Sequence, residues 1–241
     1  MSLNANQQAG GDASNFKYEP IDAGTCPGRL VGVSVVGKHA ASYKGEAKEP
    51  KDNLALTYEL LDEFMKDEDG EELKDKPRWI TEYMPFYNLK ADKAKSTERY
   101  LSIDPVNEHG GDWEQLLGSP IMVQITQNAG KGQHMGKVFN NVGGITPMRA
   151  KEASKAPELV NQPFTFDFYS PTKETWDRLP YRVKSLVRGA LNYKGTEMED
   201  WDALDGDNKD QPIKIEDASS STPAPAKKKV SAPPAEDDEN W

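Results

Sequence analysis

The stretch Gly28-Arg29-Leu30-Val31-Gly32-Val33-Ser34-Val35-Val36-Gly37 decides the fold of this chain. Its valines, bracketed by Pro27-Gly28 and Gly37, have the composition and length of a β-strand. Gly32 inside it predicts a bend or the close approach of another backbone. Working outward, Leu54, Leu56, Tyr58 and Leu60 alternate with Ala55, Thr57 and Glu59, the period of a second, half-exposed strand. Residues 37–53 between them are polar and read as a long connection, a length uncommon unless a loop is functional or mobile. An acidic turn over residues 62–75, centred on Asp69-Gly70, leads to a third strand, Trp79 to Phe86. That strand places Trp79, Thr81 and Tyr83 on one face and Ile80, Glu82 and Met84 on the other.

Farther along, Asn88 is placed to cap a helix from Leu89 to about Ile103, stopping ahead of Asp104-Pro105. A short amphipathic turn over residues 112–117 ends at Gly118. Ile121, Val123 and Ile125 share one face of a fourth strand, the Gly-rich segment 129–134 turns the chain, and residues 135–148 return, interrupted at Gly143-Gly144. This pair reads as a β-hairpin. Phe164 to Tyr169 gives a last edge segment, and Val183, Leu186 and Val187 fall at helical spacing beyond Pro180. About five strands with a helical insertion between the third and fourth is the element order of an OB-fold. The expected class is mainly β with α insertions, an OB-fold-like Greek-key β-barrel plus a disordered tail. Another small barrel or a sandwich built from the same strands is the rival.

Of 241 residues, 36% are hydrophobic, below the ordinary globular share. The expected organisation is a flexible N-terminal arm (1–15), one folded domain (16–195) and a disordered acidic tail (196–241). Residues 218–235 are dominated by Ser, Thr, Pro, Ala and Lys, which cannot bury enough apolar surface to offset ordering entropy. Residues 196–241 hold thirteen acids and five lysines, so eight of the ten net negative charges sit there and the body is nearly neutral. The sequence pI of about 4.9 therefore does not argue against a nucleic-acid partner, because local patches set the field at a groove. Cys26, the lone cysteine, excludes an internal disulfide, and no Cys and His cluster has zinc spacing, which fits a reducing, cytoplasmic setting. With no bilayer-length apolar run and no apolar signal core in the first 15 residues, neither a membrane nor a secreted protein is expected.

The closing run Glu236-Asp237-Asp238-Glu239-Asn240-Trp241 joins four acids to a tryptophan. On a polar tether this reads as a peptide hook for protein interaction, the acids steering onto a basic patch while the ring fills a pocket. A solvated tail that only aids solubility is the plainer reading. In its strands at 28–37 and 79–86, its hairpin at 118–148 and this tail, the chain resembles the phage-type single-stranded DNA-binding proteins. These pair an OB-fold with a flexible acidic tail ending in an aromatic residue; bacterial members end in Phe after an Ile-Pro pair, where this chain has Asn240-Trp241. The resemblance implies sequence-independent binding of single-stranded DNA in replication, recombination or repair, without catalysis or cofactor. It also implies a tail that recruits replication proteins such as a polymerase or helicase-primase, and the charge split adds the expectation that the run Glu236 to Glu239 mimics phosphates and competes with DNA for the cations of the body. The location implied is the cytoplasm, that of the host if the protein is phage-encoded; self-association is left open.

Such binding needs aromatic faces for base stacking and cations that follow the phosphates. The candidates are Lys38, Tyr43, Lys44, Lys48 and Lys51 in the first connection, Arg78, Trp79 and Tyr83 on the third strand, and Lys131, His134, Lys137 and Phe139 in the hairpin. Trp79, Tyr83 and Phe139 equally suit a barrel core. Two alternatives stand beside DNA binding: a non-catalytic adaptor of the replication machinery, docking proteins through exposed apolar patches, and a Mg-dependent nuclease built on scattered acids. Residues 67–72 lack the alternation and distal Glu of a calcium loop, and Gly130-Lys131-Gly132 is not a P-loop. No Ser/His/Asp or Cys/His set can be picked out, and His39, His109 and His134 all fall in expected loops.

Overall fold

Beginning near the valine-rich stretch, β1 (Gly24–Tyr43), β2 (Glu46–Lys66) and β3 (Glu72–Pro85) run as consecutive antiparallel strands in a computed structural model that describes residues 19–205. A hairpin of β4 (Pro120–Ala129) and β5 (Val138–Pro147) follows, then the short β6 (Phe164–Asp167). The sheet order is β3-β2-β1-β4-β5, with β6 lying parallel to β1. β1 changes neighbour along its length: residues 24–29 pair with β4 and residues 32–35 with β6. The exchange falls at a register shift against β2 between Leu30 and Gly32, where a bulge bends the strand. Gly32 meets the expectation of a close approach, made by a ring: a Cβ there would stand 2.1 Å from Cζ of Phe164.

Residues 37–53 are a ladder, not a loop. Pairs run from Lys38↔Asp52 to Tyr43↔Glu46, closed by Lys44-Gly45, both at positive φ (54° and 82°) as a tight hairpin turn requires. The acidic segment 62–75 likewise contributes the arms of the β2–β3 hairpin, pairing Met65↔Leu73 and Lys66↔Glu72. Its turn is organised by Asp67, whose Oδ1 accepts from the N–H groups of Asp69 (3.0 Å) and Glu71 (2.9 Å). The helix α1 (Lys95–Ile103) starts later than expected because the Asn88 side chain accepts from Lys90 N–H at 3.0 Å and stabilises a turn instead. Then come α2 (Ala150–Ala153), α3 (Lys173–Asp177), α4 (Tyr181–Arg188), which starts directly after Pro180, and α5 (Glu197–Asp205). No helix among the described residues is long and apolar enough to cross a membrane.

Two apolar clusters lie on opposite faces of β1 and β2. The first gathers Leu30, Leu54, Leu56, Tyr58 and Leu60 with Ile121, Val123 and Ile125, and is capped by Tyr100, Trp113 and Leu116. The second joins Val31, Val36 and Ala55 to Phe164, Phe166, Phe168, Trp176 and the inward side of α4, Val183, Leu186 and Val187. This second layer corrects the expectation of a half-exposed β2: Ala55, Thr57 and Glu59 are all buried. Glu59 is accommodated because its carboxylate accepts from Val160 N–H (2.7 Å), Asn161 N–H (3.2 Å), Asn161 Nδ2 (2.7 Å) and Trp79 Nε1 (3.1 Å). α5 also belongs to the folded body, since Met198 is fully buried and Trp201 packs on the second cluster. The folded part therefore extends past residue 195. The arm at 1–15 and the tail from 206 on, with Glu236, Asp237, Asp238, Glu239 and Trp241, lie outside the described residues.

Candidate nucleic-acid interface

Beyond the last pairs with β6 (Val35↔Asp167) and β3 (Asn53↔Pro85), β1 and β2 pair only with each other among the described residues. Residues 38–51 of this arm carry four lysines against two glutamates. At its base, Asp52 ties three elements together. Its backbone oxygen accepts from Phe86 N–H at 2.8 Å, and its carboxylate accepts from the Tyr169 hydroxyl. Lys51 Nζ stands 5.1 Å from the centroid of the Tyr87 ring, a cation–π contact. Phe86, Tyr87 and Tyr169 remain 37%, 37% and 56% exposed. The Tyr169 phenol is pushed up to about 12 by desolvation and then by its bond to Asp52, so it stays neutral. Three partly exposed aromatic residues and Lys51 thus gather at the base of the arm, Tyr169 on the Asp52 carboxylate, Phe86 on its backbone and Tyr87 beneath Lys51, with Lys38 opposite Asp52 in the ladder. Rings and cations at this spacing suit bases and phosphates of an unpaired strand.

Beneath the arm, His39 is buried and its Nε2 donates to the Val36 carbonyl at 3.2 Å, which sets the Nε2–H tautomer. The other residues singled out in the sequence fall in several places. Tyr43 and Lys44 lie at the tip of the arm, and Lys48 pairs with Glu46 at 2.9 Å. Trp79 and Tyr83 pack on the second apolar cluster, Trp79 stacked on Phe164 at 5.8 Å between centroids. Lys131, His134, Lys137 and Phe139 share the β4–β5 hairpin end, where the His134 and Phe139 rings meet edge-on at 5.7 Å. Arg78 is drawn elsewhere, donating to the Glu19 carbonyl at 2.5 Å and facing Glu63 at 4.0 Å.

Arg78 borders a cavity of about 1170 Å³ between the β2–β3 hairpin and residues 19–22. Its lining holds seven acids, Glu19, Asp22, Glu63, Asp67, Glu68, Asp69 and Glu72, against Lys66, Lys76 and Arg78, an acidic balance that repels phosphates. Among the described residues no group of three or more His, Cys, Asp or Glu is arranged to hold a metal ion.

Phe86, Tyr87 and Tyr169 are not among the candidates read in the sequence, although Phe86 closes the expected third strand and Tyr169 the expected last edge segment. Phe86 and Tyr87 follow Pro85, the last residue of β3, and an aromatic pair just past a strand-ending proline was the available signal. Comparison of the chain with protein-family models, curated proteins and solved structures finds no match to any of them.

Proposed function

We propose that this protein binds single-stranded DNA without regard to sequence, as a non-catalytic component of DNA replication, recombination or repair. The observation that carries the reading is the cluster of Lys51, Tyr87, Phe86 and Tyr169 around Asp52 at the base of the β1–β2 arm. An OB-fold-like barrel is supported by the order β3-β2-β1-β4-β5, whose end strands β3 and β5 approach within 8 Å between Cα atoms, and by α1, which packs on both. The tail, residues 236–241, recruits replication proteins and competes with DNA for the cations of the body. Anisotropy of a labelled oligo-dT tests this: saturable binding that weakens steeply with salt is expected through counterion release. Absent binding or a flat salt response overturns it. Deleting residues 236–241 leaves affinity equal or higher; a large fall overturns the competition.

The second reading is an adaptor that docks proteins, favoured by the exposed Val160 (53%) and Leu191 (61%). No binding of oligo-dT, together with stable capture of a replication protein, decides for it.

A further inference from the structure

We propose that α4 and the residues after it form a second limb of the same interface, a phosphate track continuing from the base of the β1–β2 arm. It rests on the single-strand reading and adds to it a surface absent from the candidates read in the sequence. Residues 178–194 contain five cations, Arg178, Arg182, Lys184, Arg188 and Lys194, and no acid, whereas the rest of residues 1–195 holds 20 cations against 27 acids. Val183, Leu186 and Val187 are fully buried and fix the roll of the helix, which leaves Tyr181 and Arg182 exposed and Lys184 half-buried. Lys184 and Arg188, one turn apart, set their charged ends over the Trp176 ring, Nζ at 5.3 Å and Cζ at 5.9 Å from its centroid, and both side chains remain half-buried there.

The α4 region is bonded directly to the arm. Leu191 N–H donates to the Lys38 carbonyl at 2.7 Å, and Lys38 N–H donates to Asn192 Oδ1 at 2.9 Å. The Asn192 side chain also neighbours the Tyr169 phenol and works to lower its pKa, while the Tyr169 hydroxyl donates to Asp52. Gly37, at φ 84°, lets the two segments meet: a Cβ there would stand 2.8 Å from that of Ala190. Lys38 therefore joins the ring cluster at the base of the arm to the residues that directly follow α4. One cation of this helix is already committed, since Arg188 makes two hydrogen bonds to Asp202 of α5 at 2.7 and 2.8 Å. Arg182, Lys184 and Lys194 hold no ion pair within 4.0 Å among the described residues. Their ligand is the phosphodiester backbone of the strand whose bases stack at Tyr87 and Tyr169, because ammonium and guanidinium groups spread along a helix, with no flanking ring of their own exposed beyond Tyr181, read charge more than bases.

The test compares wild type with the Arg182→Ala/Lys184→Ala and Lys194→Ala variants, titrating labelled oligo-dT across a salt series and checking each fold by thermal unfolding. The double variant is expected to flatten the slope of log K against log salt by about 0.7 for each cation removed. Arg182→Lys, which keeps the charge, retains the wild-type slope, and Lys194→Ala loses one such step. Wild-type slope and affinity in both alanine variants overturn this inference while leaving the single-strand reading intact. Failure of wild type itself to bind oligo-dT overturns both.

Discussion

Arg99 of α1 and Glu82 of β3 form a buried ion pair, Nε to Oε1 at 2.8 Å and Nη2 to Oε2 at 3.3 Å. The same guanidinium reaches the Gly143 carbonyl of β5 at 3.5 Å, so one side chain spans the seam between the two end strands of the sheet. Tyr58 donates to Glu82 at 2.8 Å and Lys95 lies 2.9 Å from it, so the carboxylate is amply satisfied. Burial pulls the Arg99 pKa down, but the charge and hydrogen bonds of Glu82 outweigh it and the net shift is upward.

Removing Arg99 leaves the buried Glu82 carboxylate with only the half-exposed Lys95 and the Tyr58 hydroxyl as partners among the described residues. Arg99→Met is expected to cost about 3–5 kcal/mol, read as a lower urea midpoint at unchanged slope. Adding Glu82→Gln to it recovers part of the loss, because the buried charge that has lost its buried partner is then gone. A loss below about 1 kcal/mol for the single variant would mean that apolar packing alone holds the seam.

Gly32 and Phe164 are a matched pair. Gly32→Ala drives a methyl group into the Phe164 ring, where the available distance to Cζ is 2.1 Å, and is expected to destabilise by about 1–3 kcal/mol. Phe164→Leu placed in the same chain relieves the clash, so the double variant loses less than the two single losses added together. Strict additivity in that cycle would show that β6 does not rest on Gly32.

These two contacts also mark how far the sequence could be read. Leu54 to Leu60 and Ile121 to Ile125 were legible as strands because one face of each meets the first apolar cluster and imposes alternation. Residues 38–51 were not, since the ladder they form is mostly exposed and needs no apolar period. Ala55, Thr57 and Glu59 looked like a solvent face, because the donors that bury Glu59 at Val160 and Asn161 come from about a hundred residues farther along the chain. The site divided in the same way. Lys51 was visible as a cation of the first connection, whereas Tyr87 is brought near it only through the pairing of Asn53 with Pro85.

His39 gives the arm a pH dependence with a defined sign. Burial lowers its pKa below the ordinary histidine value, overcoming the raising effects of the Val36 hydrogen bond and of Asp52. The unfolded chain therefore binds the proton more readily than the folded one. The contribution of neutral His39 to stability is complete above the unfolded value of about 6.5 and is lost as pH falls through the lower, folded value. Urea midpoints at about pH 7.5 and pH 5.5 should differ more in wild type than in His39→Gln. An identical difference in both proteins would remove His39 from the acid response.

Tyr87 provides the sharpest separation between a binding role and a structural one. Its ring is partly exposed and carries Lys51 above it, whereas Trp79, an equally plausible stacking residue from sequence, is packed on Phe164 and donates to buried Glu59. Loss of one stacked base costs about 1–3 kcal/mol, so Tyr87→Ala should weaken oligo-dT binding by roughly 5- to 150-fold with little change in the unfolding midpoint. Tyr87→Phe keeps the π-face and should bind as wild type does. Lys51→Ala removes a cation and should flatten the salt slope by about 0.7, leaving stacking in place. Trp79→Ala should show the inverse pattern, a clear fall in stability, because both the aromatic packing and a donor to Glu59 disappear together. If Tyr87→Ala binds oligo-dT as tightly as wild type, the base of the β1–β2 arm is not where the bases stack.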